Sequence, residues 1–186
     1  MKREALANLL YEALETEQGG IKVYEAALLS ATNTELKTEW QEYLEQTRNH
    51  EAAVRKVFEK MKLDPEKETP GRLVTRRIGS ALVEAMEMAR AAGDPEGAQV
   101  VAAECVVLAE TKDHLNWELL GEASKEVGGA QGRAIEAACA EVEDEEDEHL
   151  YHTTGWCRAL HLKNLGLPAV LPPPAEAGEG KASIGS

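Results

Sequence analysis

Aromatic residues are scarce in this chain of 186 residues, where they make up only 4% of the sequence. Alanine, leucine and glutamate are plentiful instead, and all three favour helices. No segment shows a strand pattern of any strength. Because 43% of the residues are hydrophobic, one domain with a sizeable core is expected. We therefore predict an all-α fold.

Cysteine is also rare, and its pattern excludes two classes of protein. The three cysteines are odd in number, and no two form a Cys-x-x-Cys pair, which argues against a disulfide framework and against a zinc knuckle. We predict reduced thiols in a cytoplasmic protein. The N-terminal segment has no long apolar stretch, so no signal peptide is indicated. No apolar run approaches the length of a membrane span.

Positive charge is in short supply, and the net charge is −14. Nucleic acids and anionic membranes are bound through positively charged surfaces, so we expect neither as a partner. An excess of carboxylates keeps a protein soluble and attracts cations. Metal ions are therefore the first partners to consider.

Apolar periodicity predicts four long helices and one shorter helix. The first covers residues 2–30. The second begins at a capping box that starts at Thr32, and this helix ends near residue 62. The shorter helix, 70–92, occupies the connection to the third long helix, 95–127, and the last covers 130–164. We expect the shorter helix to bury an apolar side formed by Leu73, Ile78, Leu82, Met86 and Met88.

These helices define the predicted domain organisation. Residues 1–166 form one helical bundle. Residues 167–186 contain three consecutive prolines and little apolar material, so we predict a disordered or loosely docked tail.

The acidic stretch 141–152 contains a Glu-x-x-His pair, Glu146 and His149. Residues three apart share a helix face, so this carboxylate and this imidazole could hold one metal ion together. The simpler interpretation is a solvated charge run with an ordinary surface histidine. Residues on the other helices distinguish the metal-binding interpretation from the solvated charge run.

Each of the other long helices also carries ionisable residues on its apolar stripe: Glu17 on the first, His50 on the second, and Glu110 and His114 on the third. Asp113 and Glu104 are close enough in phase to be reserve candidates. A lone histidine on an apolar face is more often a hydrogen-bonded core residue. Buried together without a cation, however, these groups would cost more free energy than a marginally stable domain can spare.

These groups must therefore pair with one another, reach water or bind metal. Mixed oxygen and nitrogen ligands suit iron or manganese, and zinc can also occupy such a site. The predicted metal ligands are Glu17, His50, Glu110, His114, Glu146 and His149.

Two features of the first helix lie near this predicted site. Tyr24 follows Glu17 by seven residues; it is a candidate for a redox role or for a hydrogen bond to a ligand, although simple packing is the more common role of such a residue. Gly19 and Gly20 interrupt the same helix, either as a tolerated weak turn or as a point of close backbone approach beside the site.

On these motifs, residues 2–164 resemble the ferritin-like superfamily, which includes bacterioferritins and rubrerythrins. Its first helix has a glutamate followed seven residues later by a tyrosine, its third has a glutamate, and its fourth has Glu-x-x-His. The matching residues here are Glu17 with Tyr24, Glu110, and Glu146 with His149. The resemblance implies a four-helix bundle with one long crossover, here containing the extra short helix.

The second helix departs from the family pattern. His50 matches the family histidine, but Thr47 stands where the family has a glutamate that usually bridges the two metals. The resemblance implies two iron ions, sometimes manganese, and either the oxidation of iron(II) or a reaction with oxygen or peroxide. His114 or Glu51 would have to compensate for Thr47; otherwise the site holds one metal or is degenerate.

The main alternative is a non-enzymatic helical bundle that sequesters metal or serves as a stress-response or dimeric scaffold protein. A purely structural bundle with a polar core network is the other alternative, and whether the chain is an enzyme stays open. A homodimer is expected, and Ile21, Leu44 and Leu119 are candidates for its interface.

Overall fold

The computed structural model describes residues 2–168, and within that range the chain forms five helices and no strand. They are α1 (Arg3–Leu28), α2 (Thr34–Met61), α3 (Pro70–Ala91), α4 (Pro95–Glu126) and α5 (Gly129–Asn164). The all-α prediction is confirmed, and the predicted helix limits agree to within two residues. The predicted tail lies almost entirely outside the described residues.

Polar side chains fix where three of the helices begin. Asn33, Thr69 and Asp94 each accept a hydrogen bond from a backbone N–H in the first turn of the helix that follows. Such caps satisfy N–H groups that have no partner inside the helix. The capping box predicted at Thr32 is one residue early, because the Asn33 side chain accepts from the backbone of Leu36 at 3.0 Å.

The four long helices form a ring. α1 contacts α2 and α4, and α5 contacts the same two helices, whereas neither diagonal pair of the described helices is in contact. Ring neighbours run antiparallel, as α2 and α5 show. His50 of α2 contacts Glu145 of α5, whereas Tyr43, about two turns earlier on α2, contacts His152, about two turns later on α5. α3 lies outside the ring against α1 and α4.

Two apolar clusters fill the two ends of the ring. One contains Val23, Trp40, Val106 and Trp156, and the other contains Leu10, Phe58, Leu120 and Ile135, among others. On every ring helix the segment between these clusters carries the predicted ionisable residues. A polar layer therefore lies between two apolar layers of the core.

The contact between α3 and α1 is unusually close at one point. A Cβ atom added to Gly79 would lie 3.6 Å from the Cα atom of Gly19, so the two glycines let the helix backbones approach. Nearby, the buried guanidinium of Arg72 donates to the buried carboxylate of Glu15 at 2.6 Å. This ion pair and the glycine contact hold α3 along α1.

The prediction for the apolar side of α3 is wrong. Only Met86 of that set is buried and Leu82 is partly buried, whereas Leu73, Ile78 and Met88 are exposed. The inner face of α3 uses Arg72, Thr75, Gly79 and Met86 instead. Close helix approach favours small residues there, and the larger apolar residues are left on the outside.

The candidate dimer residues also need correction. Leu44 is buried, Ile21 packs against the core, and only Leu119 is an exposed apolar residue. The three cysteines are free thiols, as predicted. Burial raises the pKa of Cys105 to about 11, so it is a poor nucleophile. None of the helices in residues 2–168 is long and apolar enough to cross a membrane.

Candidate metal centre

Six ionisable side chains meet in the polar layer of the ring, and each is at most 3% exposed. They are Glu17 of α1, His50 of α2, Glu110 and Asp113 of α4, and Glu146 and His149 of α5. Five of them belong to the set that the sequence predicts as metal ligands. As ligands they remain predictions, but the structure brings them together from four helices.

The first group of potential ligands consists of His50, Glu146 and His149, whose ligand atoms lie within 4.8 Å of one another. The Oε1 atom of Glu146 is 2.9 Å from His50 Nδ1 and 3.8 Å from His149 Nδ1. Glu110 joins this side of the cluster, with its Oε2 atom 3.4 Å from His149 Nδ1. Neither Nδ1 atom makes a hydrogen bond.

The second group consists of Glu17, Asp113 and Glu146, again with ligand atoms within 4.8 Å of one another. The indole N–H of Trp117 donates to Glu17 Oε1 at 2.7 Å and fixes the orientation of that carboxylate. The other oxygen of Glu17, one oxygen of Asp113 and both oxygens of Glu146 have no hydrogen-bond partner. Glu146 belongs to both groups and therefore links them.

The outer nitrogens of the two imidazoles determine their tautomers. His149 Nε2 lies 2.8 Å from the side-chain oxygen of Gln46, and His50 Nε2 lies 2.8 Å from a carboxylate oxygen of Glu145. Both oxygens are acceptors, so each Nε2 carries the proton. The lone pair of each Nδ1 then faces the cluster, which is how a histidine presents itself to a metal.

Burial raises the pKa values of Glu17, Asp113 and Glu146 well above the ordinary carboxyl range, and repulsion between neighbouring carboxylates raises them further. The Trp117 hydrogen bond lowers the pKa of Glu17 in part. Without a cation, these carboxyl groups therefore bind protons more tightly than ordinary carboxyl groups do. Metal binding would displace those protons.

Unpartnered polar atoms test whether a metal fits here. Among the described residues, eleven buried side-chain oxygen and nitrogen atoms lack a hydrogen-bond partner, and eight of them belong to the six cluster residues and Tyr24. Buried polar atoms in native proteins are nearly always satisfied. Four carboxylates and two imidazoles are also the donor set of dinuclear iron and manganese sites in helix bundles. The cluster therefore fits a pair of such ions.

α1 and α4 each carry a glutamate that is followed seven residues later by an aromatic residue. Glu17 is followed by Tyr24 at seven residues, and Glu110 by Trp117 at the same interval. Trp117 of α4 donates to Glu17 of the neighbouring helix α1. The pKa of Tyr24 is raised well above its ordinary value by burial and then by the nearby carboxylate of Glu110. The predicted redox role of Tyr24 stays a prediction.

Thr47 does not take the place of the family glutamate. Its hydroxyl donates to the backbone oxygen of Tyr43 at 2.8 Å, so it is committed to its own helix. A Cβ atom on Gly20 would lie only 3.2 Å from the Thr47 methyl group. The close-approach interpretation therefore holds at Gly20: α1 and α2 are packed tightly beside the cluster.

Neither residue expected to compensate for Thr47 reaches the cluster. His114 is 31% exposed and lies 2.8 Å from Asp147 Oδ1, outside both ligand groups. Glu51 accepts hydrogen bonds from Gln18 and Arg55 instead.

Asp113 supplies the additional carboxylate. It follows Glu110 by three residues and precedes Trp117 by four, which is the spacing of one helix face. His114 has the converse spacing, four residues after Glu110 and three before Trp117, so spacing alone does not distinguish the two. In the structure Asp113 is 3% exposed, whereas His114 is 31% exposed.

A surface cleft of about 420 Å³ lies between α2 and α5, next to the cluster. Tyr43 separates the two: its ring centre is 4.1 Å from that of His149, and its hydroxyl lies 3.0 Å from His152 Nδ1 in the cleft. Glu39, Glu42 and Glu148 also line this cleft.

Comparison of the chain with protein-family models, with curated proteins and with solved structures finds no match. The function therefore has to be argued from the geometry of the site.

Proposed function

We propose that this protein is a ferritin-like helical bundle that binds two metal ions, iron or manganese, in its polar layer. The observation that carries the proposal is the convergence of four carboxylates and two imidazoles, with their free atoms directed at one another, from all four ring helices. The helix arrangement supports it, because a ring of antiparallel neighbours with one long crossover is the ferritin-like topology.

The ligand groups suggest how two ions would be shared. His50, His149 and Glu110 would serve one ion, Glu17 and Asp113 the other, and Glu146 both. Four carboxylates balance the charge of two divalent cations, which would remove the repulsion that, after burial, raises the pKa values of Glu17, Asp113 and Glu146.

A pair of iron ions in this donor set can give electrons to oxygen or peroxide, which is the chemistry that the site would gain when loaded. The protein side chains would balance the charge of the ions and fix the orientation of the ligands. The carboxylates stabilise the cations, Trp117 keeps Glu17 oriented, and Gln46 and Glu145 keep the imidazole lone pairs directed inward. The apolar clusters on both sides exclude water.

Metal storage without turnover is the second candidate function. The observation that favours it is burial: His149 and Glu17 have no exposed surface, and Tyr43 stands between the cluster and the nearest cleft. Such a site retains ions well but admits reactants only when side chains move.

We expect protein purified without chelator or added metal to contain about two iron or manganese ions per chain by elemental analysis. A His50→Gln, His149→Gln variant should lose most of this metal. His114→Gln is the matched control, because it makes the same change on the same ring at a residue outside the cluster.

Turnover then separates the two candidate functions. Oxidation of added iron(II) under oxygen, or consumption of peroxide, by the loaded parent protein supports the catalytic function. Two retained ions with neither activity support storage. If parent and variant both lack metal and are equally stable, the metal proposal fails.

Asp113 should act as the missing carboxylate, and a swap tests this. We expect Asp113→Asn to weaken metal binding at least tenfold, since even changes to residues behind the ligands cost about 10–100-fold. Adding Thr47→Glu to that variant returns a carboxylate to the family position and should restore part of the affinity. Calorimetric titration with manganese measures the affinity of both variants.

The control for this swap is Asp144→Asn, which removes an exposed aspartate from the same chain. Unchanged affinity in Asp113→Asn would show that Asp113 is a structural acid and not a ligand.

A further inference from the structure

A stripe of apolar residues on α3 faces largely away from the rest of the described chain, and of its members only Ala85 packs against the core. Val74, Ile78, Ala81, Ala85 and Met88 follow one another at alternating steps of four and three residues. This is the spacing of a helix-pairing seam. Val74, Ile78 and Met88 are 60%, 52% and 74% exposed, whereas most apolar side chains of the ring are buried.

We propose that two copies of this protein associate through this seam, with their α3 helices packed antiparallel about a two-fold axis. α3 is available for such contact because it lies outside the ring and touches only α1 and α4. The inference does not depend on the metal site, since none of the seam residues belongs to it.

Charge complementarity identifies a second copy of this chain as the occupant. Arg77 and Glu84 flank the seam on one side, seven residues apart; both are largely exposed, and within one copy they form an ion pair at 3.4 Å. With the two-fold axis between Gly79 and Ser80, Arg77 of each copy faces Glu84 of the other. A shift of one heptad would instead place Glu84 against Glu84, and like charges in opposed positions are disfavoured.

The same alignment also matches the side-chain volumes. Each Ile78 lies opposite an Ala81 of the other copy, and each Val74 lies opposite an Ala85. Large residues thus meet small ones in every one of these layers, as interdigitated packing requires. An interface of this kind is self-complementary, which is the condition for a two-fold dimer.

The first test is the sedimentation of the full chain over a range of concentrations. We expect the parent protein to be a dimer, and we expect Ile78→Glu to raise the dimer dissociation constant about 100-fold or more, because it introduces a charge into the interface centre twice. Leu119→Glu is the matched control: it changes an exposed leucine of α4 and should leave the constant unchanged.

A parent protein that stays monomeric at every concentration overturns the proposal. A dimer that survives Ile78→Glu but dissociates in Leu119→Glu assigns the interface to α4 instead. Because Ile78 is exposed, helix content by circular dichroism should be the same in all three proteins.

The second test addresses the register. Glu84→Arg and Arg77→Glu should each weaken the dimer roughly fivefold to tenfold, since each disrupts two symmetry-related exposed ion pairs. The double variant Arg77→Glu, Glu84→Arg should restore the parent affinity. A double variant no tighter than the singles contradicts the antiparallel alignment.

Discussion

Replacing Glu146 with glutamine should abolish the binding of both metal ions at once. Glu146 is the one residue in both ligand groups, and neither of its carboxylate oxygens makes a hydrogen bond within the protein. Glutamine keeps the shape of the side chain but removes the charge that a bridging ligand supplies. Elemental analysis should fall from about two ions per chain to nearly none.

The same substitution should have opposite effects on stability with and without metal. In metal-free protein, Glu146→Gln removes a buried group that is repelled first by Glu110 and also by Glu145 and Asp147, so the melting temperature should rise. In the parent protein, metal at 1,000 times its dissociation constant adds about 4 kcal/mol of stability. The variant should lack that gain.

Thermal unfolding in chelator and in excess manganese measures both effects. Glu143→Gln is the matched control, since Glu143 is an exposed residue of the same acidic stretch. If Glu146→Gln keeps a full metal-induced shift, Glu146 does not link the two ligand groups.

The residues whose burial the sequence predicts correctly are those with a redundant signal. The helix phase at each position is determined by many neighbours, because an apolar stripe several turns long contains Glu17, His50, Glu110 and His149 and has Glu146 at its shoulder. That is why five separate polar residues could be placed in one buried layer. Their position between the two apolar segments of each helix fixes the height of that layer.

The choice between Asp113 and His114 shows the limit of this reasoning. Adjacent residues on a helix differ in direction by about 100°, and a broad apolar stripe tolerates either one at its edge. The chemical bias towards histidine as a metal ligand favours His114, whereas the packing of α4 against α1 turns Asp113 inward. Contacts between helices, which periodicity does not contain, decide such positions.

α3 shows a different limit. Its sequence has apolar residues on more than one side, and the ring needs small residues where Gly79 meets Gly19. The face with the larger residues is therefore not the face that packs inward. If α3 pairs with a second copy, its outer seam is a second core face, and a single chain contains no partner by which to recognise it.

The stability of the metal-free protein should fall as the pH rises above the ordinary carboxyl range. The pKa values of Glu17, Asp113 and Glu146 are raised by burial in the folded state, whereas in the unfolded state they lie near about 4. Between these values the folded protein binds more protons than the unfolded chain. Stability is therefore greatest below the unfolded pKa and falls as pH rises towards the folded pKa values, by up to about 1.4 kcal/mol per pH unit for each such group.

Bound metal should reverse this dependence. The ions replace the protons on the carboxylates, and metal affinity increases as competing protons are removed, so stability should rise with pH over the same range. Urea unfolding at a series of pH values, in chelator and in manganese, gives the two slopes. A Glu17→Gln, Asp113→Asn variant should show a flatter slope in chelator. Equal slopes with and without metal would mean that these carboxylates are not where the ions bind, because only direct competition between proton and metal changes the sign.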